Sequence, residues 1–197
     1  MARKSSRVLW AEKLAGKSDG KRSSDECCAY MTNKVPYTGL VLGIDPSLRG
    51  MGLALVEFDR GKGICVETKT LKLAQKLSMA DCLGEISRNV TLFLEKGDVR
   101  HVALEQTIYV QNFQTAQILG AARGAAIAAA AVRRLPVFEY MPLRVKQAVV
   151  GYGRASKEQV AKMVCQHLSF ECPLPPDEAD AASVAICHAF TYVDEGV

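Results

Sequence analysis

No two of the seven cysteines (Cys27, Cys28, Cys65, Cys82, Cys165, Cys172 and Cys187) have the C-x-x-C spacing, and their number is odd. That argues against a disulfide-stapled secreted domain and against a zinc ribbon. Reduced thiols in a cytosol-like compartment are expected instead. Long apolar runs are missing too. In the apolar middle of the chain, the longest stretch free of charged and strongly polar side chains is Gly124–Val132. A membrane span needs roughly 20 apolar residues, so no integral membrane protein is expected. No apolar segment follows the basic start, and Glu12, Asp19, Asp25 and Glu26 interrupt it. Neither a secretory signal nor an acid-poor organellar leader fits that pattern. Internal repeats are absent.

What is present is enough apolar material for a core. Of the 197 residues, 49% are hydrophobic and 23% charged, the balance of a globular domain with a modest extra segment. Charge is unevenly sorted. Residues 1–34 hold eight Lys/Arg and four Asp/Glu and so account for the whole net charge of +4. The stretch from Arg123 to Lys162 carries Arg123, Arg133, Arg134, Arg144, Lys146, Arg154, Lys157 and Lys162 against only Glu139 and Glu158. Local sorting of this kind marks a candidate surface for a polyanion.

Residues 1–36 read as a basic tail rich in Ser, Lys, Arg and Gly, and residues 37–197 as one domain. Gly39–Ile44 and Gly52–Phe58 are strand candidates joined by a short turn, which predicts a hairpin. Ile64–Leu71 follows as a third strand. Apolar residues at 83, 86, 90, 93 and 94 have helical spacing within 81–96. Val99–Glu105 is an apolar strand that ends on a carboxylate. An alanine-heavy helix over 111–134 stops before Pro136, and Val137–Tyr140 gives a fifth strand. Helices over 143–149, 156–168 and 177–192 complete the chain, the second opening on Ser156 with Gln159 three residues on, a capping-box pattern. Three strands in a meander followed by alternating helix and strand predict an α/β fold with a mixed five-stranded sheet flanked by helices.

Four acids stand out by position. Asp45 and Glu105 each sit where an apolar strand stops, at the rim where open α/β sheets bind ligands. Asp177 and Asp180 share one face at the start of the last helix. Singly, Asp45 before Pro46 reads as a turn former and Asp177 as a helix acid favoured by the macrodipole. Together, four crowded carboxylates would raise one another's pKa unless a divalent cation neutralised them. Oxygen-only ligands favour Mg²⁺ or Mn²⁺ over zinc. His188, two helical turns beyond Asp180, is expected to stay off that site. Cys65 and Cys187 read as small core residues.

The stretches LGIDPSLRGMGLALVE, VALEQTIYVQN, AARGAAIAAA, PVFEYMPLRVKQAVVGYGRASKEQV and DEADAASVAICH together resemble the RuvC family of Holliday-junction resolvases, which have an RNase H-like nuclease fold. The resemblance runs from about Leu40 to His188, and from Glu105 onward the family spacings are kept without a gap. It implies that Asp45, Glu105, Asp177 and Asp180 are catalytic carboxylates holding two Mg²⁺ per subunit, with Mn²⁺ able to substitute. It also implies a homodimer that makes paired nicks across a four-way DNA junction, a branch-migration helicase complex as partner, and a bacterial-type cytoplasmic setting, with organellar targeting by the N-terminal tail left open. Lys146 and Lys157 match the family's basic residues near the scissile phosphate, and Arg123 joins them on the basic, DNA-facing side. At Ile108 the family often places an aromatic that stacks on a junction base; here the ring is one residue later, at Tyr109. Ser47 stands where the family usually has glycine.

Three other functions use some of the same features. A non-catalytic junction-binding protein would gain nothing from an unneutralised acidic cleft, so the four acids argue against it. A related single-domain RNase H-like nuclease acting on RNA stays open as an alternative, although such a protein lacks the long alanine-rich helix and the V-K-Q stretch. An actin-like ATPase shares the G-I-D opening but needs a second domain for which the chain has no room.

Overall fold

The computed structural model describes residues 36–106, 112–170 and 173–193. The basic tail, Ile108 and Tyr109 lie outside them, except for Pro36.

Five strands form one sheet: β1 (Gly39–Asp45), β2 (Gly50–Asp59), β3 (Lys62–Lys72), β4 (Val99–Glu105) and β5 (Val137–Tyr140). Their order across the sheet is β3-β2-β1-β4-β5. β1, β2 and β3 pair antiparallel as the meander the turns predict. β4 joins β1 in parallel and β5 joins β4 in parallel. The helices are α1 (Met79–Leu94), α2 (Phe113–Val132), α3 (Pro142–Val150), α4 (Lys157–His167) and α5 (Pro176–Thr191). Ser78 and Asp81 form a capping box on α1, and Ser156 and Gln159 form the one expected on α4. In each, a side-chain oxygen satisfies an otherwise unpaired amide at the helix start.

Successive residues of a strand face opposite sides of the sheet, and the sides differ in kind. Leu42, Ile44, Leu53, Leu55 and Leu104 point to one side and pack with α1 and α2. Val41, Ala54, Val56 and Ala103 point to the other, beneath α5, with α3 and α4 beyond it. Small residues concentrate on the α5 side. A Cβ on Gly43 would stand 2.1 Å from the carbonyl oxygen of Ala181, so only glycine admits the helix there. The helix answers in kind, with Ala179, Ala181, Ala182 and Ala185 buried against the sheet. By the same alternation Asp45 and Glu105 fall on the α5 side.

α2 has a buried stripe of Ala122, Ala126, Ala129 and Ala130 against α1 and the sheet. On other faces, a Cβ at Gly120 or Gly124 would meet nothing within 4 Å. By length and composition alone α2 would pass for a membrane span. Its buried alanines, and the ion pair between Arg123 and Glu139 of β5, make it a packed helix of this domain.

Candidate active site

Ile44 pairs with Leu104 across the parallel β1–β4 ladder, so Asp45 and Glu105 leave the sheet side by side. Neighbouring strands are about 4.8 Å apart, which brings the two carboxyls to one rim. α5 crosses above with its N-terminus over β2. There the carbonyl oxygen of Asp177 lies 1.9 Å from where a Cβ on Gly52 would be. The Asp177 carboxylate sits over Gly50, its Oδ2 3.7 Å from that residue's ideal Cβ position. Asp180, one turn further, is held by Lys157, the first residue of α4, whose Nζ donates to Oδ2 at 2.9 Å. Lys146, on α3, donates to the carbonyl oxygen of Ala155 at 2.9 Å.

The acids act on one another. Burial first, then the charges of Glu105, Asp180 and Asp177, push the Asp45 carboxyl up to about 7, against the opposing pull of Lys157. Glu105 is raised as well, by burial and then by Asp180, with Lys157 and Lys146 working the other way. The hydrogen bond and charge of Asp180 raise the Lys157 ammonium. Buried carboxyls that are raised further by one another's charge are short of positive counter-charge. Among the described residues no three His, Cys, Asp or Glu side chains close into a ready-made ligand cage. The acids are gathered but not clenched. Their oxygen donors, half-buried and short of counter-charge, fit a hard divalent cation such as Mg²⁺ and offer zinc neither thiolate nor imidazole.

The expected residues sort into three groups. Asp45, Glu105, Asp177, Asp180, Lys157 and Lys146 come together at this rim. Arg123 does not join them: its guanidinium is paired with Glu139 at the β5 edge. Ile108 and Tyr109 lie outside the described residues. His188 is kept off the acids, as its spacing implies. It is fully buried, with one ring nitrogen 2.7 Å from Tyr140 Oη and the other 2.8 Å from His101 Nδ1. Ser47 is accommodated without strain, since it is not among the non-glycine residues with positive φ.

Two contributors escape a sequence reading. Glu178, between the two aspartates, turns away from them and accepts hydrogen bonds from Thr68 Oγ1, from the Thr70 amide (3.0 Å) and from Thr70 Oγ1 (3.1 Å), which fastens the start of α5 to β3. In D-E-A-D it reads as one more helix-start acid. Gly52 admits the helix end, and its signal is faint: a glycine at the opening of a strand.

Acids from two strand ends and one helix start, gathered on a meander-plus-parallel sheet with lysines beside them, form the arrangement expected of an RNase H-like nuclease. The family model described as "Crossover junction endodeoxyribonuclease RuvC" matches residues 41–188. The chain belongs to that family. It is 40% identical over 157 residues to the crossover junction endodeoxyribonuclease RuvC of Pelotomaculum thermopropionicum, covering 79% of this chain and 96% of that one. The protein of the same name from Alkaliphilus metalliredigens is 38% identical over 151 residues, covering 76% and 92%. Among solved structures, T. thermophilus RuvC in complex with Holliday junction substrate superposes with a TM-score of 0.74 at 33% identity, covering 78% of this chain and 94% of that one. The yeast mitochondrial Holliday junction resolvase Ydc2, 16% identical with a TM-score of 0.56, shares the fold.

Proposed function

We propose that this protein resolves four-way DNA junctions by paired, symmetric, metal-dependent hydrolysis of phosphodiesters during recombination and repair. One observation carries the reading: Asp45 and Glu105 leave the β1–β4 ladder side by side beneath the start of α5, and burial first, then the charges of Glu105, Asp180 and Asp177, push the Asp45 carboxyl up to about 7. A fold gains nothing from that repulsion, whereas a site for cations beside a polyanion requires it.

Asp45 with one of the α5 aspartates would hold one Mg²⁺, and Glu105 would help hold a second; Mn²⁺ suits the same oxygens. Bound there, such ions would make water a nucleophile at neutral pH and stabilise the leaving oxygen of an in-line displacement. The chain supplies the rest. Asp45 and Glu105 are fixed by the β1–β4 ladder, Asp177 and Asp180 by the seating of α5. Lys157 and Lys146 place positive charge where the scissile phosphate gains negative charge. The protein works as a homodimer through the open face of α2, because a junction presents two equivalent strands and a two-fold axis offers two equivalent sites. A branch-migration helicase supplies the junction, in a cytoplasm that keeps thiols reduced.

The test is cleavage of a synthetic four-way junction and a linear duplex of the same sequence, each with and without Mg²⁺. Symmetric nicks in the junction alone, dependent on metal and lost in Asp45→Asn and Asp180→Asn with junction binding kept, are expected. Metal-independent cleavage, or equal cleavage of duplex and junction, would refute the reading.

A further inference from the structure

The two ammonium groups beside the acids are engaged differently. That of Lys146 is bonded to a backbone carbonyl, Ala155 O, on the loop leading into α4. That of Lys157 is bonded to Asp180 itself. The two ends of the latter pair also differ in freedom. The Asp180 side chain is 26% exposed and fixed on a packed helix, whereas the Lys157 side chain is 74% exposed. Its ammonium reaches in from solvent on a flexible four-carbon stem. Asp180 is, in turn, an acid whose charge both strand-end carboxyls feel.

An Asp180 oxygen that accepts from an ammonium cannot give the same lone pair to a hard cation, and two positive charges on one oxygen repel. The carboxylate has a second oxygen, but a divalent charge there still repels the ammonium on Oδ2, so taking the cation loosens the hold on Lys157. A phosphate brought to this rim by DNA offers the displaced ammonium an equivalent anionic partner within reach of its stem.

We propose that Lys157 is an exchangeable counter-charge: it holds Asp180 until a divalent cation takes that carboxylate, and the released ammonium then binds a DNA phosphate. This rests on the metal-dependent reading above and adds a coupling to it. Metal and junction strengthen each other's binding through one side chain, and the effect is reciprocal. An exposed ion pair is worth about 0.2–1 kcal/mol, so the coupling amounts to a factor of about 1.5 to 5 in affinity.

The experiment compares wild type, Lys157→Met and Lys146→Met, the last removing a nearby charge that does not sit on Asp180. Calorimetric titration with Mn²⁺ in the absence of DNA is expected to show binding about threefold tighter in Lys157→Met, and a smaller gain in Lys146→Met. Junction affinity is then measured with Ca²⁺ and with EDTA, the junction being recovered intact on a denaturing gel. Lys157→Met is expected to lose affinity in Ca²⁺ only, with the salt slope reduced by about 0.9, one phosphate contact. Mn²⁺ binding no tighter than in Lys146→Met overturns the exchange, as does an equal loss of junction affinity with and without metal, which would make Lys157 a fixed phosphate contact. A wild-type protein that binds no Mn²⁺ would overturn the metal site itself, before any variant is compared.

Discussion

Gly52 lies directly beneath Asp177, close enough that a Cβ on Gly52 would stand 1.9 Å from the Asp177 carbonyl oxygen. Backbone meets backbone there, so no rotamer change relieves an added methyl. Gly52→Ala is expected to lift the start of α5 and carry Asp177 away from Asp45 without altering any acid. Overpacking of this kind costs about 1–3 kcal/mol. The variant should unfold at lower denaturant and bind Mn²⁺ at least tenfold more weakly in titration. Wild-type metal affinity in a destabilised Gly52→Ala protein would show that the seating of α5 does not set the site.

Asp45 ties the site to pH. Its folded pKa of about 7 lies above the ordinary 3.8. Between those values the native state keeps a proton that the unfolded chain has released, so stability falls as pH rises through the interval, and the penalty is fully present above it. Without metal at pH 8, Asp45→Asn is therefore expected to melt several degrees above wild type, and near pH 4 the two should converge. Mg²⁺ at pH 8 should raise the wild-type Tm, because bound ligand stabilises the native state, and should raise that of Asp45→Asn far less. Thermal melts across pH, with and without Mg²⁺, read this directly. A variant less stable than wild type at pH 8 would contradict the burial and repulsion argued for Asp45.

Much of this is legible in the chain because it is periodic or local. The alternation in GLVLGID and VALE places Asp45 and Glu105 at strand ends, and both land on the same side of the sheet for the reason that alternation gives. Ser156 and Gln159 announce the start of α4. Other features are not local. Nothing in D-E-A-D says that Glu178 faces β3 while Asp177 and Asp180 face the acid cluster around Asp45; that depends on where α5 crosses the sheet. Arg123 counts as a basic residue in the sequence, but its pairing with Glu139 depends on β5 lying next to β4. Lys157 is likewise legible as a helix-start lysine and not as the partner of Asp180, 23 residues away.

Glu178 makes a separable prediction. Its carboxylate takes hydrogen bonds from Thr68 and Thr70, and it points away from the acids that gather around Asp45. Glu178→Ala leaves those donors without their charged acceptor and is expected to cost about 1–3 kcal/mol. Because no ligand is lost, the protein that remains folded should bind Mn²⁺ within about twofold of wild type. Denaturant unfolding and metal titration of the same preparation check both halves. A tenfold loss of metal affinity at unchanged stability would make Glu178 a ligand instead.

The outer face of α2 separates dimerisation from folding. Gly120 and Gly124 have nothing within 4 Å of an added Cβ, and Phe113, Ile118 and Val132 are exposed. Glycine inside a helix costs about 1 kcal/mol relative to alanine, so a monomer has no reason of its own to keep it there. In the proposed dimer a second copy of the helix would supply one, since a side chain at these positions would hold the two backbones apart. Gly124→Arg is therefore expected to raise or preserve the stability of the monomer, by helix propensity, while placing two like charges across the two-fold axis. Sedimentation should show a shift from dimer to monomer. On a junction, symmetric paired cuts should give way to single nicks, because each active site then acts alone. A Gly124→Arg protein that stays dimeric and cuts in pairs would place the two-fold contact on another surface, with the acids of each subunit unaffected by the change.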